Sequence, residues 1–321
     1  MRTFLFIAIL FNCVVSSYSQ TVEPMDKDRF RDNKIKTQTL YEYDYINGKP
    51  ERSGVKSRID SFDVKGQRIL QVHYRENGTI LSIMTFKYDF NGNRTEYSKS
   101  APNEGRIELN YKQNIRFDGK GNKIMETGFN GQDSFKNVYN YNKTGKLAEV
   151  NFFVKKQLDE KRVFSNNNNA ADLKILNGFG DLKYTQKNLY SASGKILEER
   201  RIEKDNSESQ RIVYTYNSSD NITSETKYVQ GKLFSKITYM YNKNLLSEVY
   251  LENADGAKFL INKYVYNDKG WVIEEQSRED NNKDFSKKVY SYDGNGICKT
   301  IDSYFAKFKQ QVLSVNIYTY Y

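Results

Sequence analysis

Among its 321 residues the chain has only 3 prolines, 1 histidine, 1 tryptophan and 2 cysteines. One histidine, His73, and two cysteines, Cys13 and Cys298, are too few for a His/Cys metal centre, and they weigh against Cys–His or Ser-His-Asp catalysis. A single cysteine beyond the first segment closes no internal disulfide, so stability has to come from packing and hydrogen bonds. Only 38% of the residues are hydrophobic, which argues against a deep core. After the first twenty residues no apolar run is long enough to cross a bilayer as a helix. Blocks of like charge are missing too, although the formal net charge is +10. Basic and acidic residues are interleaved, as in Arg200-Arg201-Ile202-Glu203-Lys204-Asp205. Nucleic acid, which needs a clustered basic footprint, is therefore not an expected partner. A basic exterior suits anionic glycans or envelope surfaces instead.

The N-terminus supplies the one long apolar run. Met1-Arg2-Thr3 precedes Phe4 to Val15, and Ser16-Ser17-Tyr18-Ser19 follows. One positive charge, a short apolar segment and a small-x-small end describe a secretory signal peptide over residues 1–19. The expected location is periplasmic, cell-surface or secreted, with no transmembrane span in the mature chain. Residues 20–37 form a charged lead, expected as a short helix or an unstructured arm.

What the chain has in abundance is tyrosine, 26 in all, with 19 phenylalanines. They recur in a phrase: aromatic-x-aromatic-Asp/Asn, then a turn. It reads Phe86-Lys87-Tyr88-Asp89, Tyr139-Asn140-Tyr141-Asn142, Tyr214-Thr215-Tyr216-Asn217, Tyr239-Met240-Tyr241-Asn242, Tyr264-Val265-Tyr266-Asn267 and Tyr290-Ser291-Tyr292-Asp293. Weaker copies end on Phe62, Phe117, Phe164 and Tyr190, and Tyr318-Thr319-Tyr320 closes the chain. Successive copies are 23 to 29 residues apart, so the chain is a tandem array. In a strand the two aromatics of each phrase share a face. The Asp or Asn bonds its own backbone, and glycine supplies the positive φ of a tight reversal. Each unit is thus a hairpin. The expected fold is all-β: tandem antiparallel hairpins over 38–321, forming one long twisted, coiled meander sheet, irregular around 151–190.

The Tyr-x-Tyr-Asp/Asn-x-x-Gly phrase with its charged return strand resembles the YD repeat of Rhs, wall-associated and teneurin-like proteins. The resemblance covers nearly the whole mature chain. It implies long β-sheets that spiral into shells, and some members are described as carbohydrate-binding or as toxin housings. No toxin domain is expected after the repeats.

Chemistry is sparse. A carboxylate recurs four residues after the turn position, at Glu96, Glu149, Glu198, Glu248 and Glu274. Recurrence at one register position suits cross-strand pairing with lysine better than catalysis. Asp89, Asp118 and Asp293 read as turn caps, lacking the dense oxygen spacing of a calcium loop. His73 reads as a wall residue, and Trp271 as a packed turn residue or a sugar-stacking platform. No metal or cofactor is expected. The reading is a non-enzymatic exported protein that binds a glycan or an envelope protein through an aromatic trough or its charged face. The candidate contacts are Tyr214, Tyr216, Tyr239, Tyr241, Tyr264, Tyr266, Trp271, Tyr290 and Tyr292. Two alternatives stay open: a structural component self-associating through sheet edges, and a polysaccharide hydrolase using Glu198 or Glu274.

Overall fold

The computed structural model describes residues 27–167, 170–278 and 284–321. The expected signal peptide lies outside these residues. The helix Lys27–Asp32 falls within the charged lead, and the first strand, Ile35–Ile46, begins before the lead was expected to end. Every later element is a strand.

Consecutive strands pair antiparallel, as a meander requires, but the sheet has no free ends. The first strand pairs with Val55–Phe62 on one side and with the last strand, Gln310–Tyr320, on the other. Apart from the two-residue strand Lys49–Pro50, which folds back on the tip of the first strand, the strands form a closed 22-strand antiparallel barrel. This corrects the expected open, coiled meander. The physical reason is that near-identical hairpins add the same twist and bend again and again. Here the accumulated curvature brings the first and last strands into register, Thr39 opposite Ile317 and Tyr41 opposite Val315. Closure then pairs the backbone groups that an open sheet leaves bare. It also removes the long edges through which self-association had been considered. The stretch 151–190 carries three strands, Gln157–Asn167, Ala170–Asn177 and Leu182–Tyr190, within the same ring.

The phrase acts locally as expected, with one addition. In the turn after Phe62, Asp63 Oδ1 accepts from the N–H groups of Lys65 and Gln67, both at 2.9 Å. Gly66 sits at φ +74°, where a side chain is strained. Asp118, Asn142, Asn217, Asn267 and Asp293 repeat these bonds. The addition is a bulge just after each of these turns. Thr215 faces Ser224 and Tyr216 faces Ile222, so Thr223 is an extra residue. The same slip recurs beside Tyr88, Phe117, Tyr141, Tyr190, Tyr241, Tyr266 and Tyr292.

The wall is one sheet thick. Two clusters of buried apolar residues occur among the described residues, both at or near the closing seam. In the first, Phe30 of the helix packs edge-on against Phe62 at 4.6 Å, with Ile35 and Ile297 buried beside it. The Arg29 guanidinium donates to the Gly296 carbonyl at 2.7 Å. Helix, first strand and last strand are thus fastened together where the ring closes.

Candidate functional site

Directly opposed residues share a face, so the register sorts the wall into an aromatic face and a second, charged face. The recurrent carboxylates fall on the charged face. Glu96 lies between Lys87 at 2.9 Å and Lys112 at 3.3 Å, Glu149 pairs with Lys161 and Glu274 with Lys287 at 2.8 Å, while Glu198 is bonded to Arg200. Glu248 accepts from the Tyr250 hydroxyl at 2.8 Å. Hydrogen bonds from the Lys87, Lys161 and Lys287 ammonium groups hold Glu96, Glu149 and Glu274 below the ordinary carboxylate range.

On the aromatic face, the candidate tyrosines are largely occupied by the fold itself. The second tyrosine of each phrase donates to a backbone carbonyl at the bulge of the preceding hairpin: Tyr216 to Ile196 and Tyr241 to Ile222 at 2.8 Å, Tyr266 to Leu246 and Tyr292 to Val272 at 2.7 Å. Tyr318 continues the series on Cys298 at 2.7 Å. The first tyrosine reaches a carboxylate on the preceding strand in three copies, Tyr139 on Glu126 at 3.0 Å, Tyr214 on Glu199 at 2.7 Å and Tyr290 on Glu275 at 2.9 Å. Tyr239 and Tyr264 are partly buried in the same row. Burial pushes the Tyr239, Tyr266 and Tyr292 phenols up to about 12. Trp271 is packed: its ring lies against Gly296 and 5.5 Å from Tyr292, with Arg29 and Lys269 over it. Glu199, buried, and Glu275 escaped the sequence reading. Their only signal was a carboxylate adjacent to Glu198 and Glu274, and thus on the opposite face.

Elsewhere the aromatic face is built differently. Phe86, Tyr97, Tyr111 and Phe135 form a continuous row, with ring centroids 5.3, 5.6 and 6.1 Å apart. Gly128 stands opposite Phe135. A Cβ there would meet the Phe135 ring at 2.6 Å, so the absent side chain lets that ring lie down on the sheet. Beside this row runs a shallow, open groove of about 430 Å³, with Tyr111, Phe135 and Phe152 as its aromatic surfaces and Glu126, Asn137, Glu160 and Arg162 among its polar ones. Burial alone would raise the Glu126 carboxyl, but hydrogen bonds from Gln113 and Tyr139 and the Lys123 charge outweigh it and hold it low. Glu160 is also held low: Lys183 and Arg162 overcome its burial. None of the candidate residues from the sequence lines this groove. Its signal in the sequence was Tyr97, Tyr111, Phe135 and Phe152, aromatics that stand outside the phrase.

No protein-family model and no curated protein matches the chain. Similar solved structures include the TcdB2-TccC3 complex without its hypervariable C-terminal region, at 11% identity and a TM-score of 0.38; the match covers 85% of this chain and 18% of that one. This chain thus spans under a fifth of that structure's length. A porin-like protein from Bacteroides uniformis matches at 8% identity and a TM-score of 0.33, over 89% of this chain and 97% of that one. A porin-like protein from Bacteroides vulgatus matches at 7% identity and a TM-score of 0.21, over 89% and 98%. These are loose likenesses among β-proteins, and the architecture rests on the chain's own strand register.

Proposed function

We propose that the protein is an exported, non-enzymatic carbohydrate-binding barrel, with its binding surface at the groove of Tyr111, Phe135 and Phe152. The observation that carries this reading is the pairing of a continuous aromatic row with a strip of carboxylate, amide and guanidinium groups along one open groove. Flat rings offer apolar area to the C–H faces of sugars. A few fixed polar groups at the rim of such a surface orient hydroxyls and select among ligands. The tyrosine phrase becomes the scaffold, since the hydroxyl of its second tyrosine is spent on a bulge carbonyl. The likeness to YD-repeat proteins, some described as carbohydrate-binding, points the same way.

Binding rather than hydrolysis fits the carboxylates of the groove and the two recurrent ones considered for catalysis. Glycoside cleavage needs one carboxyl kept protonated as a general acid. Glu126 and Glu160 are both held below the ordinary range, as is Glu274, and Glu198 is committed to Arg200.

The test is a glycan array on the purified mature protein, followed by calorimetry on any hit with wild type and Phe152→Ala. The expected result is a saccharide ligand whose affinity falls at least tenfold in the variant. A folded protein that binds nothing on the array, or a ligand indifferent to Phe152→Ala, overturns the assignment.

A further inference from the structure

The groove is lined by three carboxylates and one guanidinium, those of Glu126, Asp159, Glu160 and Arg162. The cations at and around it are already paired. Arg162 Nε lies 2.8 Å from one Glu160 oxygen, and Lys183 Nζ lies 3.0 Å from the other. Lys123 Nζ lies 3.2 Å from Glu126, which also accepts from the Tyr139 hydroxyl at 3.0 Å and from Gln113. Asp159 is the extra residue of a bulge, since Phe152 faces Glu160 and Phe153 faces Leu158. It is exposed and has no ion-pair partner among the described residues. Three cations thus meet three carboxylates, and the charge left over is negative. The excess positive charge of the whole chain is not expressed here.

One polar side chain of the groove is uncommitted. Asn137 stands between Glu126 on one neighbouring strand and Phe152 on the other. Phe135 and Tyr139 share its face along its own strand. Its carboxamide is half-buried and has no hydrogen-bond partner among the described residues. The groove's Asn130 differs: its Oδ1 accepts from the N–H groups of Gln132 at 3.0 Å and Asp133 at 2.8 Å and so caps a turn. The Asn137 amide has given up part of its water without gaining a partner, and a ligand that pairs with it makes good that loss.

We propose that the groove selects an uncharged saccharide over its acidic counterpart, and that Asn137 is the side chain that reads it. This selectivity rests on the carbohydrate-binding reading above and adds the class of sugar and the group that recognises it. A carboxamide offers an acceptor oxygen and two N–H donors, which match a pair of neighbouring hydroxyls or an acetamido group. A uronate or a sulfate ester would shed water beside the unpaired Asp159 and find the nearby cations held by carboxylates. It gains no net attraction to offset that desolvation, and the site rejects it. The basic composition of the chain pointed to anionic glycans; the groove has the opposite preference because its charges are paired locally.

The experiment is calorimetry on the mature protein at neutral pH with hexamers of mannose, galactose and N-acetylglucosamine, and with hexamers of mannuronate and galacturonate. The expected result is a neutral hexamer bound at least tenfold more tightly than either uronate. Asn137→Ala should weaken that binding about fivefold, as loss of a hydrogen bond does. Asn137→Asp keeps the shape but loses the donors, and should weaken it at least as much. Asp159→Lys should raise the affinity for the uronates. Circular dichroism checks that each variant is folded. A uronate bound as tightly as the neutral hexamers, with Phe152→Ala weakening both, overturns this inference and leaves the carbohydrate-binding reading standing. Neutral binding indifferent to both Asn137 variants, or uronate affinity unchanged by Asp159→Lys, also overturns it. Failure of every hexamer to bind overturns it too, and the glycan array then decides whether the broader reading falls with it.

Discussion

Two arcs of the barrel use the same amino acids for different ends. From Ile196 to Tyr320 the phrase is intact, and five successive tyrosines close five successive bulges. From Phe86 to Arg162 the phrase is interrupted: Tyr88 and Tyr141 still donate to the Arg68 and Lys123 carbonyls at 2.9 Å, but Phe117 between them has no hydroxyl to offer. Additional rings at Tyr97, Tyr111, Phe135 and Phe152 spread over the sheet. An aromatic residue kept in register with a bulge is structural, because its hydroxyl has a fixed acceptor. One placed off that register keeps its ring for something else. Abundance of tyrosine alone does not separate the two cases.

The largest effect should come at the seam that holds both arcs in one ring. Asp60 has no solvent exposure and sits between Arg58 at 2.8 Å and Arg68 at 2.9 Å. Removing one partner of a buried ion pair costs about 3–5 kcal/mol. Asp60→Ala should therefore lower urea-unfolding stability by about that much, without selective loss at the groove. Next comes Gly128→Val. The added side chain meets the Phe135 ring and the Lys112 carbonyl, and overpacking of this kind costs about 1–3 kcal/mol. Calorimetry should show saccharide binding lost while the rest of the ring stays folded; intact binding would break the contrast between the arcs.

Smaller effects test the ladder rung by rung. Tyr216→Phe and Tyr292→Phe each delete one hydrogen bond to a carbonyl and should cost about 0.5–1.5 kcal/mol in denaturant unfolding. Phe117→Tyr is the reverse experiment. It offers a hydroxyl to the bulge beside Arg94 and should gain up to about 1 kcal/mol; a neutral result would show that the ladder rule fails at this hairpin. Tyrosine ionisation gives the last prediction. Folded-state values near 12 for Tyr239, Tyr266 and Tyr292 are raised above the ordinary 10. The stability these phenols contribute is therefore complete below pH 10 and lost as the pH climbs towards 12. Tyrosinate absorbance followed together with far-ultraviolet dichroism should show a late phase that coincides with loss of the sheet.

Much of this was legible in the sequence. The two-residue period of Tyr214 and Tyr216 marked their shared face, and Asn217 marked the turn. The lysine–carboxylate pairing of Glu96, Glu149 and Glu274 followed from their constant register. Closure was not legible, because it depends on the summed twist of all the hairpins and on the match between residues 35–46 and 310–320, which no local pattern encodes. The bulges were hidden because one extra residue after a turn, such as Thr223, leaves the phrase itself unchanged. The groove was missed for a related reason. Attention to the repeat selects residues that obey it, whereas Tyr111, Phe135 and Phe152 stand out only once Gly128 is seen beneath a ring.

Closure of the ring is the claim on which the two arcs and the fastened seam depend. The direct measurement is oxidative cross-linking of Thr39→Cys with Ile317→Cys, residues that face each other across the first and last strands at a separation disulfides tolerate. A closed barrel predicts rapid formation of an intramolecular disulfide in a monomer of native sheet content. Reduced cysteines that stay apart, or cross-links found only between molecules, would contradict it.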